Sequence, residues 1–431
     1  MVSDSFGGAA RGAGRGEVTG SEIPIRLTIV SAYFWPEQTG ISQVTWELAA
    51  YLAAHGVDVE VVTAMPFYPA WSIDEAYRGR LWSSETAERV HIRRSWHHVK
   101  PSPSTVTRLL HEATLALFAL PNLVRSLRRA QYAYIVSPQL TFAWVATLVA
   151  RAMGVKFTLI VQDVMPDAAV ELGMLRNPVM IGISRWLARS VYSTADEIFT
   201  LSEGMKQRIA QLCDDPSRIS IVPNTIDADE LAPPPIEENE FRRRFVPEGV
   251  FAVLHTGNMG QKQDLDLLLN AADALRDDPS VQFYVFGDGA DRERFLRRRG
   301  ELGLTNVHHH PLQERWLLPH MLAGADLVLI SQLPEVTDLV VPSKLLTAMG
   351  AGAAIVAACH PKSEVARMIE ESNGGVVIAA SQSDALVNAI ARFSEHLRDV
   401  AARRCNARKY AISRFNRTSV FGNLLRAIRT G

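Results

Sequence analysis

From residue 26 onward the chain alternates short apolar runs with amphipathic stretches, and it completes this alternation twice. In the first series the pattern predicts strands over 26–31, 57–63, 90–94, 132–137, 156–161, 197–201 and 219–222. Helices are predicted over 41–55, 104–130, 142–153, 179–193 and 204–212. Parallel strands need a crossover of a dozen or more residues, and runs that are apolar throughout suit strands buried on both faces. The first series therefore implies a parallel sheet with helices on each side. Ala232 and the run Pro233-Pro234-Pro235 then lead into an acidic stretch ending at Glu240. Prolines have no N–H for a helix or a central strand, so the run reads as a linker.

After the linker the alternation restarts. Strands are predicted over 251–255, 282–286, 307–309, 327–330, 355–357 and 376–378, with helices over 265–275, 291–299, 317–323, 344–349 and 363–371. The stretch 383–429 reads as helical and arginine-rich. The fold class is α/β, with two tandem Rossmann-like doubly wound domains and a cleft between them. The expected divisions are a disordered tail (1–22), an N-terminal domain (23–226), a linker (227–249), a C-terminal domain (250–390) and a closing helical segment (391–431). Ligands of such sheets bind at the carboxyl ends of the strands.

Composition narrows the function. A chain of 431 residues with 47% hydrophobic and 21% charged residues can bury two cores of ordinary size. A formal charge of -1 argues against a nucleic-acid partner, which calls for a basic excess. Cys213, Cys359 and Cys405 lie far apart, without metal-type spacing, which suits a reducing compartment and a cytoplasmic location. The Gly- and Ser-rich start lacks the continuous apolar region of a signal peptide. The longest apolar runs, 113–120 and 142–150, fall far short of the roughly 20 residues that span a bilayer.

The stretch VVPSKLLTAMGAGAAIVAA at 340–358 is built to receive an anion. Pro342 suits a first helical turn, where its missing N–H has no intrahelical partner to lose. Ser343 and Lys344 then sit where free backbone N–H groups and the positive helix end attract a phosphate. Leu345, Leu346 and Met349 form the buried face, and Gly350 and Gly352 end the helix before the next strand. Each domain also opens with a glycine-bearing loop after its first strand. Thr39 and Gly40 precede the first helix, while TGNMGQKQD at 256–264 carries Gly257, Asn258, Gly260 and Lys262. Lys262 supplies a charge suited to a diphosphate; a plain tight turn is the competing reading. A further loop, Phe286-Gly287-Asp288-Gly289, reads more simply as a turn. Neither it nor the first loop completes Gly-x-Gly-x-x-Gly, which counts against a dehydrogenase.

With these pieces placed, the chain resembles the retaining GT-B glycosyltransferases of family 4, and within them the colanic-acid-type exopolysaccharide enzymes. The resemblance rests on YFWPEQTGISQVTWELAAYLAAHGVDVEVVTAMPFYPAW, PSTVTRLLH, LIVQDVMPDA, VPNTID, GNMGQKQDLDLLLNAADALRDDP and VVPSKLLTAMGAG, in that order. It implies a UDP- or GDP-linked sugar bound mainly by the second domain, with its diphosphate near Lys262 and the Ser343–Lys344 helix start. It also implies a lipid-linked glycan acceptor against the first domain, near Gly40 and Asp163. Two family glutamates eight positions apart fall on Leu339 and Thr347 here, so the ribose contact would pass to Thr347.

Departure of a nucleoside diphosphate needs its growing negative charge stabilised. The expected means are Lys262, Lys344 and helix amides, with no metal and no cofactor. The Asp-x-Asp triplets at 227–229 and 264–266 read as structural, and three histidines in one strand, 308–310, alternate faces rather than converge. Asp163 stands at a strand end where it can take an acceptor proton or bind a sugar hydroxyl, and a capping role fits it equally. Arg93, Arg94, His97, His98 and Lys100 suggest a basic patch. The helix at 104–130 carries Val106, Leu109, Leu110, Ala113, Leu117, Leu120, Val124 and Leu127 as one stripe beside Arg108, Arg125, Arg128 and Arg129. That stripe fits either a core-packing helix or one resting on anionic lipid, peripherally on the inner face of the membrane. A sugar-nucleotide epimerase of the same fold and an inactive binding protein are the alternatives to a transferase.

Overall fold

The computed structural model describes residues 24–37, 40–101, 103–171, 175–260, 263–334 and 343–430. The expected tail, Thr39, Lys262, Leu339 and Pro342 lie outside them. Two sheets organise the chain. The first contains β1 (Arg26–Val30), β2 (Asp58–Ala64), β3 (Trp82–Ala87), β4 (Val90–Ser95), β5 (Tyr132–Ser137), β6 (Lys156–Val161), β7 (Glu197–Thr200) and β8 (Ile219–Ile221). Their order is β3-β4-β2-β1-β5-β6-β7-β8. The second contains β9 (Phe251–Thr256), β10 (Val281–Phe286), β11 (Val307–His310), β12 (Leu327–Ser331), β13 (Ile355–Cys359) and β14 (Gly375–Ala379), ordered β11-β10-β9-β12-β13-β14. Among the described residues every strand pair is parallel except β3 with β4, which is antiparallel. The sequence reading has no strand at β3, because WSSETA is polar and half exposed along an edge.

The helices of the first half are α1 (Gly40–Ala54), α2 (Thr105–Leu127), α3 (Leu140–Ala152), α4 (Asp167–Glu171), α5 (Pro178–Thr194) and α6 (Glu203–Ala210). Those of the second are α7 (Glu240–Phe245), α8 (Leu265–Ala274), α9 (Arg292–Glu301), α10 (Leu318–Gly324), α11 (Ser343–Gly350), α12 (Glu364–Ser372), α13 (Ser383–Glu395), α14 (Leu397–Phe415) and α15 (Arg417–Thr430). The expected linker thus contains α7, whose Phe241 is fully buried against Tyr284 and Phe286 of the second sheet. The closing segment divides between the halves. On α14, Arg404 and Arg408 donate to carbonyls of the second half, at Gly352, Leu231 and Ala228 among others. On α15, Phe421, Leu424 and Leu425 join the core around α1 and β1 of the first half.

The chain therefore passes between the halves twice, and the two passages lie side by side. Ile226 N–H donates to Phe415 O (2.8 Å) and Arg417 N–H donates to Ile226 O (2.9 Å). In both sheets the connections switch sides at the first strand, between β1 and β5 and between β9 and β12. Those switch points are where a parallel sheet leaves a crevice outside its carboxyl edge. The two edges face each other across the cleft. One crevice of about 430 Å³ is lined by Leu201, Ser202 and Pro223 of the first half and by Leu346, Glu364 and Met368 of the second.

The stripe assigned to α2 divides on folding. Leu127 is buried, but Val106, Leu109, Leu110 and Leu117 are exposed; the core face is instead His111, Leu115, Ala116, Ala119 and Leu123. The expected basic patch is also corrected. Arg94 and His97 are both at most 1% exposed. Alternation along β4 turns Arg94 inward, where it pairs with Glu85 of the unforeseen β3. Arg93 pairs with Glu60 on the neighbouring β2.

Candidate functional site

At the carboxyl end of β9 the backbone enters a loop that crosses the loop after β10 at van der Waals limits. Gly257 N–H donates to Phe286 O and Met259 N–H to Asp288 O, both at 2.8 Å. A Cβ on Gly287 would lie 2.2 Å from the Gly257 carbonyl oxygen, and one on Gly289 would lie 2.6 Å from Met259 O. Gly257 has φ +105°, a conformation that favours glycine, and a Cβ there would meet Lys344 Cε at 2.8 Å. The loop 286–289, read from sequence as a plain turn, is thus one of two strips of bare backbone packed against each other. Gly260 is looser, since its nearest neighbour is only the Asn258 side chain.

Lys344 reaches over this crossing from the first turn of α11. Its Nζ donates to Asn258 O (2.9 Å) and Gln263 Oε1 (2.8 Å) and lies 3.5 Å from His255 Nε2. All three are neutral acceptors, and no carboxylate pairs with this ammonium among the described residues. Burial alone lowers its pKa to about 7. His255 is 1% exposed and held well below the ordinary imidazole range, first by burial and then by the Lys344 charge. It stays neutral and offers a lone pair to the ammonium. A half-buried cation with no counter-ion, beside bare backbone and a helix start, is suited to an anion.

The remaining expected residues take varied places. Ser343 is exposed at the α11 start. The Thr347 hydroxyl donates back to Ser343 O (3.1 Å) and Lys344 O (3.0 Å), so only oxygen lone pairs remain for a ligand. Gly40 opens α1 with no atom within 4 Å of a hypothetical Cβ. Asp163 follows β6, half-buried, at the edge facing the cleft. The triplet aspartates are engaged within the fold: Asp227 with Arg417, Asp264 with Leu267 N–H and Ser381, Asp266 with Arg294. His308 bonds Gln282, and His309 lies 3.1 Å from Gly287 O.

Buried polar atoms lacking partners among the described residues gather at the same edges. Ser137 ends β5, Thr200 ends β7, Ser331 ends β12 with Gln332 just beyond it, and Asn224 and Thr225 lie at the first passage between the halves. Such groups are costly to leave unmet, and a polar ligand in the cleft would meet them. Sequence reasoning missed His255, Gln263 and the packing of Gly287. His255 gave a signal, as a polar residue inside the otherwise apolar run VLHT.

Comparison with known proteins agrees with this architecture. Residues 39–225 match the glycosyl transferase 4-like domain family, and residues 251–396 match glycosyl transferases group 1. The chain is 28% identical over 373 residues to WcaI of Escherichia coli (strain K12), named as a colanic acid biosynthesis glycosyl transferase, covering 85% of this chain and 91% of that one. It is 27% identical over 234 residues to the glycosyltransferase WbjE of Pseudomonas aeruginosa, covering 53% of this chain and 57% of WbjE. Among solved structures, Anabaena Alr3699/HepE in complex with UDP superposes with TM-score 0.71 at 14% identity, over 94% of this chain and 100% of that one. WaaG, a glycosyltransferase involved in lipopolysaccharide biosynthesis, superposes with TM-score 0.67 at 17% identity, over 94% and 100%. With two matched domains, two edges facing one cleft and this fold in common, the chain belongs to the family 4 glycosyltransferases of GT-B fold.

Proposed function

We propose that this enzyme moves a sugar from a UDP- or GDP-sugar to a lipid-linked glycan acceptor, with retention and without a divalent ion, in the synthesis of an exopolysaccharide or cell-envelope polysaccharide. The observation that carries the donor assignment is Lys344, a cation held only by neutral acceptors over two glycine loops at a sheet switch point. A nucleoside diphosphate supplies the charge that is missing there. Its departure is helped by the same ammonium, by the α11 amides and by Lys262 on the adjoining loop. HepE was solved with UDP and with UDP-glucose, which supports the nucleotide class. WcaI supports the polysaccharide context.

The acceptor side fits a lipid carrier. Val106, Leu109, Leu110 and Leu117 on α2 and Val179, Ile183 and Trp186 on α5 are exposed, and both helices pack against α3. Exposed Arg125, Arg128 and Arg129 flank a depression at the far end of α2. An apolar face beside arginines suits a bilayer surface carrying anionic lipid, at the inner face of the membrane. No helix among the described residues is long and apolar enough to cross a membrane.

A thermal-shift screen of UDP-, GDP- and ADP-sugars tests the donor. One member should raise the melting temperature, and that shift should survive EDTA. If no member shifts it, the reading falls; if activity vanishes with EDTA and returns with Mn²⁺, the metal-free mechanism falls. Lys262→Ala in a folded protein should lower kcat more than it raises the donor KM, by roughly 30- to 1,000-fold in kcat/KM. Flotation with anionic vesicles at low salt should carry the protein upward. Serine at Arg125, Arg128 and Arg129 should lower that fraction without unfolding.

A further inference from the structure

The first half's edge of the cleft holds a basin of rings. Phe67 stacks on Tyr33 (centroids 5.5 Å apart), Tyr68 meets Tyr33 edge-on (5.8 Å) and Trp71 meets Phe67 edge-on (5.4 Å). Tyr68 is exposed and Trp71 half-buried, so these two form the rim. Glu37 Oε1 fixes the loop by accepting from Phe67 N–H (2.7 Å) and Tyr68 N–H (2.8 Å). Trp71 has φ +51°, a left-handed backbone that is uncommon for a bulky residue. His111 lies beneath the rim, 2% exposed, its ring 4.8 Å from Phe67 and 5.6 Å from Trp71.

The protons in this basin can be placed by elimination. His97 Nε2 lies 3.0 Å from Met65 O. A carbonyl only accepts, so that nitrogen carries the hydrogen. Both imidazoles are neutral, since burial lowers His97 to about 3 and His111 to about 4. His97 Nδ1 is therefore a lone pair. His111 Nδ1 lies 2.9 Å from it and must donate. The one position left for a lone pair on His111 is Nε2. That nitrogen is buried and has no partner among the described residues. The contact with His97 satisfies Nδ1 alone, and the His98 backbone is the other polar neighbour of this ring.

Resting on the transferase reading above, we infer that this basin is a sugar subsite for the acceptor: a pyranose lays its apolar face on Tyr68, and one of its hydroxyls donates to His111 Nε2. The Trp71 ring, 5.6 Å from the His111 ring and capped by the Arg108 guanidinium 5.2 Å from its own centroid, shifts with that arginine as the sugar enters. His111 is here a binding residue that selects a hydroxyl by orientation; it takes no proton. Aromatic faces suit the C–H face of a sugar ring, and a hydroxyl is the donor that a sugar brings.

The test separates the two nitrogens. His111→Asn keeps an N–H near the Nδ1 position and removes the Nε2 acceptor. His111→Gln places an amide oxygen near Nε2 and loses the bond to His97. Octyl glucoside, octyl galactoside and octyl mannoside serve as probes, with binding read by saturation-transfer NMR and acceptor KM read with the donor that the shift screen identifies. The Asn variant should melt near the wild type yet raise acceptor KM about tenfold, with donor KM unchanged. The Gln variant should melt lower and keep more of the acceptor affinity. A merely structural His111 would make KM follow the melting temperature in both. Unchanged acceptor KM in a folded Asn variant overturns the inference, as does a wild type that binds none of the three glycosides while still answering to donor. If no nucleotide sugar shifts the wild type, it is the transferase reading that has failed.

Discussion

The two edges of the cleft are built from different materials. The second half presents bare backbone: Gly257, Gly287 and Gly289 leave no room for a Cβ, and one cation lies across them. The first half presents side chains, with stacked rings, two neutral histidines and the Glu37 carboxylate, which burial raises above its ordinary range. Its opening glycine, Gly40, touches nothing at Cβ distance. Backbone packed this tightly suits the part of a ligand that never varies, a phosphate pair. Side chains can be exchanged one at a time, which suits the part that differs between enzymes.

The largest effect should come from filling the backbone crossing. Gly287→Ala sets a carbon 2.2 Å from a carbonyl oxygen on a strand-end loop, where neither partner can rotate away. We expect a loss above about 3 kcal/mol, seen as early melting of the second half in denaturation followed by hydrogen exchange. Gly40→Ala, at a helix start with open space, should stay within about 1 kcal/mol of the wild type. Equal melting of the two variants would erase the contrast between the edges.

Next in size is the cation. Lys344→Met should lower kcat/KM for the donor by about 2–4 kcal/mol in the transition state, roughly 30- to 1,000-fold. It should not lower stability, because it removes a charge whose burial is unfavourable. Loss of activity with equal or higher melting temperature separates a ligand-binding cation from a structural one. The pH dependence carries the same signature. With Lys344 near 7 in the empty site, a diphosphate binds the ammonium form and raises its pKa. Donor affinity should be flat below pH 7 and fall above it, by at most about tenfold per unit.

Acid should distinguish the halves more gently. His97 and His111 fold with pKa values of about 3 and about 4 against 6.5 unfolded. The unfolded chain then binds more protons below pH 6.5, so the first half loses stability as pH falls from there toward 4. For Lys344 the window lies at the other end: the unfolded chain holds the extra proton between about 7 and 10.5, and stability of the second half rises with pH across it. Melting curves at pH 5 and pH 8.5 should show the first half weakened at the lower pH and the second half favoured at the higher.

Much of this was legible beforehand. Buried parallel strands read as short continuous apolar runs and their crossovers as amphipathic stretches, so period and composition located thirteen of the fourteen strands, all but β3. That one omission had a consequence. With β3 unseen, Arg94 had no Glu85 to turn toward, and two arginines in sequence looked like surface. On α2 the apolar residues outnumber what the core can cover, so periodicity alone could not say which stripe faces inward. Lys344 was singled out because a helix start after a strand is a local feature. Its partners Asn258 and Gln263 lie more than 80 positions away, and only the folded chain brings them together. The His97–His111 pair is equally invisible, since neither residue makes sense without the other.

The smallest effect concerns what holds the two edges at their distance. Glu47 on α1 accepts from Arg417 Nη2 at 2.9 Å and lies 3.7 Å from Arg315, while Arg417 also pairs with Asp227 at 3.1 Å. These contacts join the first half to both passages of the chain, beneath the cleft. The Arg417 and Glu47 side chains are 23% and 14% exposed, whereas Arg315 is 54% exposed, so solvent screens the second contact far more. Glu47→Gln should therefore cost about 1 kcal/mol at low salt; Arg315→Gln, which also gives up the more exposed two-point pair with Glu230, should cost less. Neither changes a residue of either edge. The expected readout is the separation of the two melting transitions, a few degrees wider in Glu47→Gln than in the wild type and insensitive to donor. If Arg315→Gln widens it more, the exposed pair rather than the sheltered one holds the halves together. If neither widens it, the paired backbone of Ile226 and Arg417 suffices, and the ions are incidental to the cleft.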